Sequence, residues 1–239
     1  MPKILASLIR VGQPGMWREG VAYEKNSIYK ITKNSDLPPV NYDEHILRPH
    51  SICHVDAPSH IVAGGKTVDD YFKDEFLKKS LFGKVTVLRF DNLVPVLNKA
   101  TGHEVFYIGK EQLTEKLHGD LNLPNKIIIS LGDRFLDQEG NNPENLVLVL
   151  TESAVSYLKI NTQFNMFGSS WKSTDFQPGS SERPIHKALF EKDVLIIECL
   201  NLKGVKEGNY FLSAFPLPLV GASESPVCPV LFEEHELHF

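Results

Sequence analysis

A strand-rich α/β fold in one domain, residues 1–239, is what this sequence predicts. Three observations carry that expectation. The chain has 239 residues, large for one domain and small for two. Hydrophobic residues make up 42%, enough for a sizeable core and too many for a disordered chain. The apolar runs are mostly short and rich in β-branched residues, the signature of buried strands rather than helices.

Taken in order, residues 23–32 alternate weakly and predict an exposed strand. A short helix is expected over 69–78. Residues 84–90 (KVTVLRF), 126–131 (KIIISL) and 194–200 (VLIIECL) predict buried strands. Residues 112–118, following Gly109, and 152–158, with Thr151 as N-cap, predict helices. Residues 168–184 are polar and rich in Ser and Gly, so a long loop is expected there, of a length that is often functional or mobile. Residues 209–215 (NYFLSAF) predict a last strand, followed by a segment interrupted by Pro216 and Pro218. No internal repeat, low-complexity tract or composition shift marks a domain boundary.

Composition narrows the function. A net charge of −5 and a pI near 6.0 argue against a nucleic-acid partner. No run of about 18 apolar residues is present, so no membrane-spanning helix is expected. The N-terminal apolar patch is interrupted by Arg10, which argues against a signal peptide. Three cysteines, Cys53, Cys199 and Cys228, fit reduced thiols in a cytoplasmic protein better than a disulfide framework.

The informative segment is RPHSICHVDAPSH, residues 48–60. It places His50, His54 and His60, three of the nine histidines, together with Asp56 within eleven positions. Pro49 and Pro58 disfavour a continuous helix. On an extended strand His50, His54 and Asp56 share parity and therefore one face. Two imidazoles and a carboxylate suit zinc, manganese or iron. His60 has the same parity, but Pro58 intervenes and leaves its direction open. A solvated polar strand is the competing reading. Glu198 lies within the apolar run VLIIECL, where a carboxylate is costly unless it is paired or coordinates a metal. From its neighbours alone, His186 reads as a surface histidine at the end of the polar loop.

The stretch from His50 to His60 resembles the H-x-G-T-H-x-D-x-P-x-H motif of the cyclase-like metal-dependent hydrolases, of the bacterial kynurenine formamidase and isatin hydrolase type. Gly64 and Gly65 follow it, as a small glycine-containing loop does in that family. His186 and Glu198, twelve apart, match a downstream His and Glu. The closing segment, from Glu207-Gly208 through Pro216 and Gly221 to Ser225-Pro226-Val227, is similar as well. The resemblance implies a swivelling β/β/α fold assembled as a homodimer or homotetramer. It implies that His50, His54 and Asp56 hold one metal, that Asp56 bridges to a second, and that His186 and Glu198 complete the site. His60 would move protons, and Trp17 matches an aromatic that lines the substrate pocket. Ile52 and Cys53 depart from the family's Gly and small residue. Ile52 is expected beside the substrate, where its bulk narrows the pocket, and Cys53 reads as a buried inert thiol. Residues 168–175 depart too, and only Gly168 and Asp175 fit the family pattern there.

The expected activity is metal-dependent hydrolysis of a small amide, formamide or cyclic amide, at a C–N bond other than a peptide bond, by a metal-activated water. The expected cofactor is zinc, one or two ions per chain, with manganese as a second option. A metal-dependent cyclase or dehydratase and a non-catalytic metal-binding protein stand as alternatives. No nucleophile elbow, P-loop, G-x-G-x-x-G or paired C-x-x-C is present.

Overall fold

A computed structural model of the chain describes residues 1–17, 20–30, 40–119, 122–137, 140, 143–176 and 181–237. In chain order the strands are β1 (Lys3–Ile4), β2 (Tyr23–Tyr29), β3 (Tyr42–Leu47), β4 (His54–Asp56), β5 (Phe82–Arg89), β6 (Val96–Leu97) and β7 (Glu104–Ile108). They continue as β8 (Lys126–Ser130), β9 (Leu146–Leu150), β10 (Met166–Ser169), β11 (Leu195–Glu198), β12 (Gly208–Ser213), β13 (Glu224–Pro226) and β14 (Val230–Phe232). The helices are α1 (Asp70–Lys73), α2 (Glu75–Lys78), α3 (Lys110–Lys116), α4 (Glu152–Leu158) and α5 (Pro184–Phe190).

Among the described residues, nine strands form one sheet in the order β1-β14-β12-β5-β8-β10-β11-β4-β13. Its centre, β5-β8-β10-β11, is parallel, and its two flanks are antiparallel. Central parallel strands are covered on both faces and so carry unbroken apolar runs. All five residues of β8 are buried for this reason. Successive side chains then alternate between two cores. Ile127, Ile129, Phe167 and Ile196 pack with Leu113 of α3, Val155 and Leu158 of α4, and Leu189 of α5. Ile128, Met166, Leu195, Ile197 and Val55 face the other way, against Tyr71, Leu77, Leu202 and Leu212. Each Ile buried in this way contributes roughly 1.5–3 kcal/mol. A three-stranded sheet, β6-β7-β9, joins the helical face, and β2 and β3 pair as a separate ribbon.

Four expectations are corrected. The segment from His50 to His60 is not one strand. Tight 3₁₀ turns at Pro49–Ser51 and Pro58–His60 flank the three residues of β4, each turn opening on its proline. The helix expected over 69–78 is two single turns, because Asp74 is extended and caps the second, accepting hydrogen bonds from the Phe76 and Leu77 amides at 2.7 and 3.0 Å. The loop expected over 168–184 begins only after Ser169, the end of β10, and is largely buried from Ser170 to Asp175, with Lys172 half-buried; its residues 177–180 lie outside the described residues. His186 is fully buried on α5, not on the surface. The exposed strand expected over 23–32 is β2, which ends at Tyr29; residues 31 and 32 lie outside the described residues. No helix is long and apolar enough to cross a membrane among the described residues.

Candidate metal centre

Strand parity explains why these side chains meet. On β4, Val55 enters the core below the sheet, so His54 and Asp56 project to the helical face. On β11, Ile196 belongs to the helical face, and Glu198, two residues on, shares its side. The antiparallel register sets Glu198 opposite His54 and Ile196 opposite Asp56. Helix α5 covers that face and carries His186. His50 and His60 reach in from the two proline-opened turns.

The distances fit a coordination sphere. His54 Nε2 lies 3.5 Å from Asp56 Oδ1 and 3.8 Å from Glu198 Oε2. His186 Nε2 lies 3.4 Å from Glu198 Oε1 and 3.8 Å from Asp56 Oδ2. His50 Nδ1 is 3.1 Å from His54 Nε2 and 3.7 Å from Asp56 Oδ1. Tetrahedral ligands with bonds of 2.0–2.2 Å sit about 3.3–3.6 Å apart. The atoms of Asp56, His186 and Glu198, and those of His50, His54 and Asp56, form two groups that could each hold an ion.

The surroundings prepare these groups as ligands. His54 Nδ1 donates to the Ile52 carbonyl at 2.8 Å, which leaves Nε2 facing the site. His186 Nδ1 donates to Asp175 Oδ2 at 2.5 Å and likewise turns Nε2 inward. Such outer partners fix the tautomer of a ligating histidine. Glu198 Oε1 accepts from the Thr174 amide and, at 2.7 Å, from the Thr174 hydroxyl. Both Asp56 carboxylate oxygens and His186 Nε2 are buried with no hydrogen-bond partner. Orphaned buried polar atoms are costly and rare. Three such atoms lie within the two candidate groups, an arrangement that suits an ion, and the nitrogen and oxygen donors suit a zinc- or manganese-class metal.

Electrostatics agree. Burial opposes charge on His54 and His186, but Asp56 beside the first, and Asp175, Asp56 and Glu198 around the second, raise both well above the ordinary imidazole value. Burial works against ionised Asp56 and Glu198, yet His54 and His186 hold Asp56 well below the usual carboxylate range, and His186 lowers Glu198. Burial lowers His60 and favours its neutral form. Burial pushes the Cys53 thiol up, in keeping with an inert thiol.

The other expected site residues lie around this cluster. Ile52 is buried at the end of the first turn, and its carbonyl orients His54. Trp17 donates from Nε1 to the His50 carbonyl at 3.0 Å, with Lys172 Nζ 4.8 Å from its ring centroid. Sequence reasoning gave no role to three residues here. Asp175 and Thr174 lie in the segment read as a polar loop. Glu224 on β13 is paired in register with Asp56, and its carboxylate is 3.9 Å from His50 Nε2 and 4.0 Å from His60 Nδ1. Only the β4–β13 pairing, invisible in one dimension, brings it there. Two surface concavities, one lined by Lys206–Tyr210 and Glu233–His235 and one by Arg89–Leu93 and Gln112–Lys116, lie away from the cluster.

The mixed α/β fold with its large curled, strand-rich sheet matches that of known cyclase-like structures. The chain superposes on isatin hydrolase A from Ralstonia solanacearum with a TM-score of 0.69 and 19% identity, covering 98% of this chain and 92% of that one. It superposes on a structure described as a potential metal-dependent hydrolase with cyclase activity with a TM-score of 0.67 and 22% identity, covering 97% and 98%. No protein-family model matches the chain. Among curated relatives, it is 30% identical to kynurenine formamidase of Delftia acidovorans over 200 residues, 81% of this chain and 80% of that protein. It is 26% identical to kynurenine formamidase of Salinibacter ruber over 199 residues, 83% of each. The chain belongs to the kynurenine formamidase family of cyclase-like metal-dependent hydrolases.

Proposed function

We propose that the chain, as one domain, hydrolyses a small amide, formamide or cyclic amide at a metal centre built by His50, His54, Asp56, His186 and Glu198. The observation that carries this reading is the convergence of three orphaned buried atoms, the two Asp56 oxygens and His186 Nε2, beside Glu198 and His54. A bound zinc-class ion supplies a Lewis acid for a carbonyl oxygen and lowers the pKa of water from 15.7 towards roughly 7. Zinc is the metal of choice, one or two ions, with manganese second.

The chain's own residues supply the rest. His60, held neutral by burial at the rim, accepts a proton from the attacking water and returns it to the leaving nitrogen, a contribution typically of about 10²–10⁴-fold. Trp17, anchored to the His50 backbone, offers an aromatic face to a planar substrate. Ile52 narrows the space beside His54. We further read the chain as cytoplasmic and as a homodimer or homotetramer. Elemental analysis of the purified protein, followed by turnover of formamides, lactams and esters, tests the reading. Metal in the protein with hydrolysis of a formamide or lactam is expected. Metal-replete protein inert on every member of the panel overturns the hydrolase reading, and protein that takes no zinc or manganese overturns the metal centre.

A further inference from the structure

Beside the metal centre, two cations stand without counter-ions. Lys172 Nζ lies 4.8 Å from the ring centroid of Trp17 and 5.7 Å from that of Trp171, and Arg183 Cζ lies 5.8 Å from that of Trp17. Among the described residues neither cation has a carboxylate partner: Lys172 Nζ donates to the Met16 carbonyl at 3.3 Å, and Arg183 Nη1 to the Ser173 hydroxyl at 3.0 Å. We propose that Lys172 and Arg183 are specificity-determining residues that bind a carboxylate carried by the substrate, so that the preferred amide is an aromatic one bearing a net negative charge. The proposal rests on the hydrolase reading above and deepens it by naming the substrate class.

The pair is attached to the same elements as the metal centre. Thr174, close after Lys172 in the chain, holds Glu198 through its hydroxyl at 2.7 Å. Arg183 opens α5, which carries His186. Trp17 donates to the His50 carbonyl at 3.0 Å, and the Met16 amide donates to Ser51 Oγ at 2.8 Å. The segment that meets both cations is thereby tied to the turn at Pro49–Ser51. Lys172, Arg183 and Trp17 are each half-buried, open enough to meet a small molecule. Arg183 has a φ of 51°, a left-handed backbone that costs a non-glycine residue energy and persists only where the surroundings hold it.

The chemistry points to a carboxylate. A ring face attracts a cation but does not neutralise it, so contact with Trp17 and Trp171 leaves both charges unmatched. The acids nearby in sequence are engaged elsewhere. Asp175 accepts from His186 Nδ1 and the Ile185 amide, and Glu182 lies 3.6 Å from Lys187 Nζ. A guanidinium presents a planar fork that fits a carboxylate, and the lysine adds a point charge beside it. Trp171 gives an independent sign. Its Nε1 is buried without a hydrogen-bond partner, and buried donors are nearly always paired. The residue next to Lys172 therefore also lacks an acceptor. A neutral amide leaves this group of donors unmatched, and an anionic one does not.

Both tryptophans of the chain stand at Lys172, so their fluorescence reports binding there. The test titrates the metal-free full chain with sodium benzoate and with its neutral isostere benzamide, and repeats both on Lys172→Met, Lys172→Arg and Arg183→Met. Without metal, the carboxylate has no ion to bind. The wild type is expected to bind benzoate at least about tenfold more tightly than benzamide, and each methionine variant to lose about tenfold in benzoate affinity, while Lys172→Arg keeps most of it. Equal wild-type affinity for the two ligands overturns the proposal, and that comparison needs no variant to fold. Benzoate affinity unchanged in both methionine variants overturns it as well. The zinc-loaded wild type should then favour 2-formamidobenzoate over formanilide by about tenfold or more in kcat/KM. Preference for formanilide overturns the substrate class and leaves the hydrolase reading standing. Turnover of neither, with the preference for benzoate intact, overturns the hydrolase reading while the carboxylate site stands.

Discussion

Asp175 accepts a 2.5 Å hydrogen bond from His186 Nδ1 while its other oxygen accepts from the Ile185 amide at 2.8 Å. One buried carboxylate therefore satisfies the first turn of α5 and sets the tautomer of a histidine in the candidate metal centre. The two roles separate by substitution. Asp175→Asn keeps an acceptor for the backbone but loses the charge that orients the ring. Zinc affinity is expected to fall by about 10–100-fold, with little change in fold. Asp175→Ala should add the loss of a helix cap, about 1 kcal/mol. Competition with a chromogenic chelator measures the first effect, and urea unfolding of the metal-free protein measures the second.

Metal retention should depend on pH through the ligand histidines. Imidazole binds a metal only when deprotonated, so protons compete with the ion for His54 and His186. Because both histidines are raised well above the ordinary imidazole value in the metal-free site, affinity is expected to fall already as pH drops from 8, before the ordinary imidazole value of about 6.5 is reached. Dialysis across that range, with elemental analysis at each step, checks it. Unchanged retention at pH 5 would exclude histidine ligation.

Lys126 gives a pH signature of a different kind. It begins β8, is 4% exposed, and has no ion-pair partner among the described residues. Burial pushes its pKa down to about 8 from 10.5. Between those values the unfolded chain binds more protons than the folded one, so stability rises with pH across that window. Below about pH 8 the folded state carries a poorly solvated charge. Lys126→Met is expected to stabilise the protein by about 1–2 kcal/mol at pH 7, an advantage that shrinks as pH climbs towards 10.5. Paired denaturant titrations at pH 7 and 10 read the difference.

Much of this was legible in the chain. The density of His50, His54, Asp56 and His60 pointed to the cluster that the fold gathers, and the apolar setting of Glu198 to a carboxylate with partners, which Thr174 supplies. The runs at β8 and β11 were visible because these central strands are buried throughout, and the one at β5 because Val85, Val87 and Leu88 are. The remainder depended on contacts distant in sequence. His186 closes a polar loop in sequence and reads with it, although Leu189 and Phe190 stand three and four residues on and share the face that α5 buries with His186 and Ile185. Glu224 sits among small polar residues, and only register against β4 gives it meaning. The segment from Ser170 to Asp175 looked like a loop because its hydroxyls and carboxylate serve Glu198 and His186 rather than solvent. A prolyl turn on each side of β4 bent what parity alone reads as one long strand.

The last prediction separates proton transfer from metal holding. Asp56 lies among His54 Nε2 at 3.5 Å, His50 Nδ1 at 3.7 Å and His186 Nε2 at 3.8 Å, and neither of its oxygens has a hydrogen-bond partner. Asp56 is common to both candidate groups, so Asp56→Ala should lose the tightly held ion and all activity. His60 is placed differently. It stands on the turn beyond Pro58, its ring centroid 6.0 Å from that of His186, and it belongs to neither inner ligand group. His60→Ala should therefore keep the tight ion while turnover falls by about 10²-fold or more. The loss should appear in kcat rather than in KM, because an acid/base group acts on the transition state. Metal analysis and steady-state rates on whichever formamide or lactam is turned over compare the two variants. Should His60→Ala lose its metal as fully as Asp56→Ala, His60 is an inner ligand. Should it keep full activity, the proton travels through another group, and Glu224, 4.0 Å from His60 Nδ1, is the next residue to replace.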